Sequence, residues 1–90
     1  MIEGSASPYR VTVGMTYETA AVLLERGKAL LGRGEEVAFD LAAVQAVDSS
    51  ALSVILGWQR AVAPRRLAIT NPPASIRSLA ALYGIDDFLA

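Results

Sequence analysis

The chain has 90 residues, 53% of them hydrophobic, with eight basic and nine acidic side chains and a formal charge of −1. This supports one domain with one core and a narrow stability margin, and the basic residues, scattered from Arg10 to Arg77, leave no electrostatic footprint for nucleic acid. The absence of Cys and His excludes disulfides, thiolate chemistry, imidazole bases and nearly every zinc or haem site, so no metal or other cofactor is expected.

The first ten residues, MIEGSASPYR, place Glu3 and small polar residues where a secretory signal needs a basic end and an apolar stretch. No apolar run approaches the roughly 20 residues that cross a bilayer. A cytosolic chain is expected, without direct membrane insertion and reaching a membrane through a partner or a surface contact. Residues 9–13 alternate β-formers with polar residues after Pro8, which predicts a strand near a sheet edge, with Ile2 and Glu3 adding a short strand before it. Thr16 then caps a helix through Leu31, whose Ala20, Leu23, Leu24, Gly27 and Leu31 share one face, and the Gly32-Arg33-Gly34 triplet ends it. That triplet follows a helix and precedes a strand, the reverse of the order a phosphate cradle needs.

Residues 37–41 are short and apolar except for Asp40, which predicts a strand buried on both faces; residues 67–70 read the same way after Pro64. Asn71, Pro72 and Pro73 announce a last helix, with Asn as its cap, Ile76, Leu79, Ala80 and Tyr83 as its apolar stripe, and Gly84 as its stop. Ile85, Phe88 and Leu89 of the tail are expected to fold back on the core, and the Asp86–Asp87 pair reads as solvated. Strands alternating with helices imply a small α/β domain with a mostly parallel sheet and neither internal repeat nor linker.

The most informative stretch is residues 47–60, VDSSALSVILGWQR, which joins a strand end to an amphipathic helix. At about 100° per residue, Ala51, Leu52, Val54, Ile55, Trp58 and Val62 share one arc, which reads as core. Ser49, Ser53, Leu56, Gly57 and Arg60 share another, a strip of mostly small residues that a partner can approach closely. Asp48, Ser49 and Ser50 all favour helix starts, and a capping Ser49 would contribute about 1 kcal/mol. Asp48 is a cap or loop residue rather than a general base, since neither a His nor a second carboxylate at useful spacing accompanies it, and no catalytic residue is expected.

The run FDLAAVQAVDSSAL, with its apolar-Asp-Ser signature, resembles the STAS domains, the family of anti-sigma factor antagonists and of the cytosolic tails of sulfate transporters. The similarity extends from about Tyr9 to Leu89. The single-domain form and the ending NPPASIRSLAALYGIDDFL are most similar to the MlaB-type subunits of Mla phospholipid-transport ABC complexes. The resemblance implies a single STAS-type domain over residues 1–90, with a mostly parallel four- or five-stranded sheet and helices packed mainly on one face. It also implies a non-enzymatic subunit whose strand-to-helix junction engages an ABC-transporter ATPase subunit, itself in complex with a membrane permease. By position, Ser49 matches the residue that antagonists have phosphorylated and that is Ser or Thr at the ATPase contact of MlaB-like subunits, and Asp48 matches the signature acid. Ser49, Ser50, Ser53, Leu56, Gly57 and Arg60 are therefore the expected partner-binding residues. The alternative is an anti-sigma factor antagonist switched by phosphorylation at Ser49. Ala51 stands where those antagonists usually carry Gly, which weighs against it.

Overall fold

The computed structural model describes residues 1–31, 37–65 and 67–84. In chain order they form β1 (Ile2–Glu3), β2 (Tyr9–Val11), α1 (Tyr17–Leu30), β3 (Ala38–Asp40), α2 (Ser50–Val62), β4 (Ala68–Thr70) and α3 (Ala74–Leu82). The sheet order is β1-β2-β3-β4. β1 lies antiparallel outside β2, with Ile2 opposite Val11, whereas β2–β3 and β3–β4 are parallel. Because strand order never reverses along the chain, right-handed crossovers through α1 and α2 carry both helices to the same face of the sheet.

The register shows which residues that face receives. Tyr9, Phe39 and Ile69 form one cross-strand row, and Arg10, Asp40 and Thr70 form the next. Side chains alternate between faces along a strand, and only the first row reaches the core: Phe39 and Ile69 are fully buried, while Arg10 is exposed and Asp40 half-buried. The expectation that β3 and β4 are buried on both faces is thus corrected. With the helices on one side, the opposite face stays wet, and the Arg10–Glu3 ion pair at 3.3 Å lies there among exposed groups.

Thr16 sits in extended backbone at φ −128° and starts α1, with Thr19 Oγ1 accepting from the Thr16 N–H at 3.1 Å and donating to the Gly14 carbonyl at 2.7 Å. On α1, Leu23 and Gly27 are buried, and Ala20 and Leu24 are half-buried on the same face. Gly32, Arg33 and Gly34, expected to end this helix, lie outside the described residues, as do Ile85, Asp86, Asp87, Phe88 and Leu89. The start of α3 differs from expectation. Asn71 does not cap it: its backbone is left-handed at φ +52°, a conformation Asn tolerates, and its amide donates to Asp40 Oδ1 at 3.1 Å. Pro73 takes the cap position instead, its carbonyl accepting from Ile76 and Arg77. Gly84, at φ +70°, ends the helix with its N–H on the Ala81 carbonyl.

Trp58 of α2 holds the layers together. Its ring is fully buried and stacked on Phe39, with centroids 4.0 Å apart and planes 16° apart. Its Nε1–H donates to the carbonyls of Leu23 and Leu24 at 3.2 and 3.3 Å, so this buried polar atom is satisfied by α1. Gly27 makes room for it, since a Cβ there would overlap the indole. At Gly57 an added Cβ would press only on the end of the Leu24 side chain, which can turn aside.

These two helical glycines are therefore expected to respond differently to alanine. In urea titrations Gly27→Ala should lose about 1–3 kcal/mol by overpacking against the indole. Gly57→Ala should fall within about 1 kcal/mol of wild type, because its gain in helix propensity offsets the shift of Leu24. Equal losses at both positions would refute the assignment of Gly27 as the seat of Trp58.

Candidate partner-binding site

The site is built where the chain leaves the sheet for α2. Val47 makes a parallel bridge with Met15, and around it the Met15 N–H donates to the Ala46 carbonyl at 2.8 Å and the Asp48 N–H to the Met15 carbonyl at 3.3 Å. These bonds bring the start of α1 beside the start of α2. Asp48 then joins them: Oδ1 accepts from the Ser50 N–H at 2.8 Å, and Oδ2 accepts from the Tyr17 N–H at 2.9 Å. Each oxygen satisfies a donor that a first helical turn leaves without a partner.

Ser49 consequently has a different local role from the one its type suggests. Its backbone is already helical, at φ −62° and ψ −18°, and its side chain makes no capping bond. A serine cap needs non-helical backbone to reach back to the N–H groups ahead of it. Here the Asp48 carboxylate meets that need one residue earlier, leaving the Ser49 hydroxyl exposed at the helix start.

Downstream, Ser53 and Arg60 are exposed and Leu56 is half-buried, so these three continue the strip begun by Ser49. Ser50 is half-buried beside Asp48, and Gly57 is half-buried against Leu24, on the side of α2 that meets α1. Arg60 makes no ion pair or hydrogen bond among the described residues. Along the strip runs an open groove of about 380 Å³, lined by Ser49, Leu52, Ser53, Leu56 and Tyr83. Tyr83 departs from the expected apolar stripe of α3, being 61% exposed. It lies at the C-cap, one residue past the helix, where the described residues leave it half in the groove and half in water.

Sequence reasoning missed two groups here. Leu52 belongs to the core arc and is buried, yet it also floors the groove. Tyr17, 82% exposed, has its backbone N–H bonded to Asp48, the residue before Ser49. No helical periodicity could have flagged it, because its position follows from a pairing between residues 31 apart in sequence. Among the described residues no group of three or more His, Cys, Asp or Glu side chains converges to hold a metal ion.

The Tyr17 and Ser50 N–H groups hold the Asp48 carboxyl below its ordinary value of 3.8. The Ala42 N–H and then the Asn71 amide do the same for Asp40. A lowered folded-state value means that the fold favours the ionised form, so this stabilisation is complete above the unfolded value and is lost as pH falls through the folded one. Melting temperatures followed by circular dichroism are expected to be level from about pH 7 to about pH 5 and to decline below about pH 4. Asp48→Asn should lower the plateau and make the acid limb shallower; an unchanged limb would show that the two helix starts do not depend on this charge.

Comparison with known proteins places residues 3–90 in the family described as "Mlab, STAS domain". Among solved structures the fold is similar to that of the anti-sigma factor antagonist SpoIIAA in its unphosphorylated form, with a TM-score of 0.77 and 14% identity over 100% of this chain and 84% of that one. It is also similar to a putative anti-sigma factor antagonist from Thermotoga maritima, with a TM-score of 0.80 and 16% identity over 99% of this chain and 83% of that one. At such identities the likeness is one of fold. No curated protein is significantly similar to it in sequence. Since the family match runs from within β1 on past α3, nearly the whole chain, the chain belongs to the STAS domains, in their MlaB-type branch.

Proposed function

We propose that this domain is a non-enzymatic subunit that binds the ATPase of an Mla-type phospholipid ABC transporter and regulates or stabilises it. The observation that carries the reading is the Ser49 hydroxyl, left uncapped and exposed at the head of a strip of small residues in a chain of the MlaB-type family. Ser49, Ser50, Ser53, Leu56 and Arg60 form the docking surface, and Gly57 lets α1 and α2 approach behind it. A partner of ordinary affinity covers about 800 Å² on each side, which this strip and the adjoining ends of α1 and α3 can supply. Such a subunit changes ATPase activity only by preferring one conformation or assembly state of its partner. No helix among the described residues is long and apolar enough to cross a membrane, which agrees with a subunit held at the inner membrane by its partner.

Co-purification with the ATPase tests this reading. Ser49→Glu, which places a second carboxylate beside Asp48 in the docking surface, should reduce capture and ATPase stimulation by about tenfold or more. Full capture and full stimulation by that variant would place the contact elsewhere.

A second reading has one observation in its favour: the same exposed hydroxyl is sterically open to a kinase, on a fold shared with the anti-sigma factor antagonist SpoIIAA. Phosphorylation would put about −1.5 to −2 charges at the start of α2, which the helix dipole accommodates and an apolar partner surface does not. Intact mass after incubation with ATP and a candidate anti-sigma kinase separates the two. One added phosphate, lost in Ser49→Ala, supports the switch, and an unchanged mass supports the transporter subunit.

A further inference from the structure

Two adjacent residues are able to begin α2. Asp and Ser are about equal as helix caps, and the sequence sets Asp48 directly before Ser49. In the structure Asp48 holds the cap: its Oδ1 accepts from the Ser50 N–H at 2.8 Å, and its carbonyl accepts from the Ala51 N–H at 3.0 Å. Ser49 is thereby wound into the first turn, at φ −62° and ψ −18°, and makes no capping bond. A capping residue has non-helical backbone, so Ser49 cannot cap from this conformation.

Asp48 prevails over Ser49 for a reason that lies outside α2. Its second oxygen accepts from the Tyr17 N–H at 2.9 Å, at the start of α1, and its own N–H donates to the Met15 carbonyl at 3.3 Å. A serine hydroxyl, a single oxygen on a shorter side chain, does not span the two helix starts. Without the carboxylate, the Ser50 and Tyr17 N–H groups lose their acceptor. Tyr17 is exposed, so water replaces it there. At α2 the remedy is the next residue in sequence. Unwinding the helix by one residue puts Ser49 in extended backbone, where its hydroxyl accepts from the N–H of Ala51 or Leu52. The Ser49 carbonyl already accepts from the Leu52 N–H at 3.2 Å, so the shortened helix keeps that bond. What changes is the hydroxyl, which turns onto its own helix and away from solvent.

We infer that Asp48 is a positioning residue for recognition: by capping α2 it keeps Ser49 helical with its hydroxyl outward, and its loss transfers the cap to Ser49 and withdraws that hydroxyl from the partner. Asp48 acts here through Ser49 and through the geometry of the helix start, not through its charge. The inference rests on the docking reading above and adds to it the residue that sets the state of the docking serine.

Three variants separate capping from charge. Asp48→Asn removes the charge but keeps a good cap, since an Asn side chain also bonds its own backbone two residues on. Asp48→Thr leaves a weaker cap than serine, and Asp48→Ala leaves none. Backbone carbon chemical shifts of Ser49, measured on the full chain alone, report which residue caps. Wild type and Asp48→Asn should show helical values, Asp48→Ala extended ones and Asp48→Thr values between. In calorimetric titration with the purified ATPase subunit, Asp48→Ala should bind about tenfold more weakly, the loss of roughly one hydrogen bond, and Asp48→Asn within about twofold of wild type. In a Ser49→Ala background, Asp48→Ala should have little further effect, because the hydroxyl it withdraws is already gone; a merely structural loss would add to that of Ser49→Ala. Should Asp48→Ala fail to fold, as judged by its melting curve, Asp48→Thr carries both measurements.

Helical shifts at Ser49 in both Asp48→Ala and Asp48→Thr would overturn the exchange of caps. Extended shifts with undiminished binding, or equal weakening by Asp48→Asn and Asp48→Ala, would overturn the positioning role while the docking reading stands. If the wild type does not bind the ATPase, the docking reading falls and takes this role of Asp48 with it.

Discussion

The two oxygens of Asp48 answer to different helices. One takes the N–H of Ser50 at the start of α2, the other the N–H of Tyr17 at the start of α1, and the bridge between Met15 and Val47 holds the two chain segments together beneath them. A lone capping residue fixes one helix; this carboxylate fixes the relation between two. What surrounds Ser49 follows from that arrangement. The serine is relieved of capping, its hydroxyl faces solvent, and the Tyr17 N–H is brought to the neighbouring Asp48 from far away in sequence. The charge that makes the clamp strong is also its point of sensitivity, since acid removes it.

Behind the site, the stack of Phe39, Trp58 and Gly27 ties the sheet to both long helices. The indole is too large to sit between α1 and α2 unless one of them lacks a side chain at the contact, and Gly27 is that position. Its N–H, which would be costly to bury alone, is shared between two carbonyls of α1. Packing and hydrogen bonding thus require the same register between the helices, and that register fixes where the exposed strip of α2 faces. An uninterrupted strand order places all of this on one face of the sheet and leaves the exposed Arg10 and the half-buried Asp40 and Thr70 on the other.

The site is chemically spare: serines, a half-buried leucine, a tyrosine at a helix end and one arginine around an open groove. Such a surface suits recognition, in which shape and charge select a partner, and membership of the MlaB-type STAS domains agrees with it. The charged side chains on α2 and α3 themselves, Arg60 and Arg77, are both positive, and the Asp48 carboxylate stands at the head of α2.

Much of this was legible in the residues themselves. Periodicity alone marks Leu23 and Gly27 on α1, and Ala51, Leu52, Val54, Ile55, Trp58 and Val62 on α2, as core, because a helix that buries one face repeats its apolar residues at a fixed angle. The order of strands and helices implies a mostly parallel sheet, and the absence of Cys and His closes off whole chemistries. Tertiary structure decided what depends on pairings distant in sequence. Asp48 displaced Ser49 from capping because the Tyr17 and Ser50 N–H groups converge on its carboxylate; Asn71 turned to Asp40 instead of capping α3; Tyr83 stood in a groove rather than in the core. Local propensity states which bonds a side chain is able to make, and the fold determines which partners arrive within reach of it.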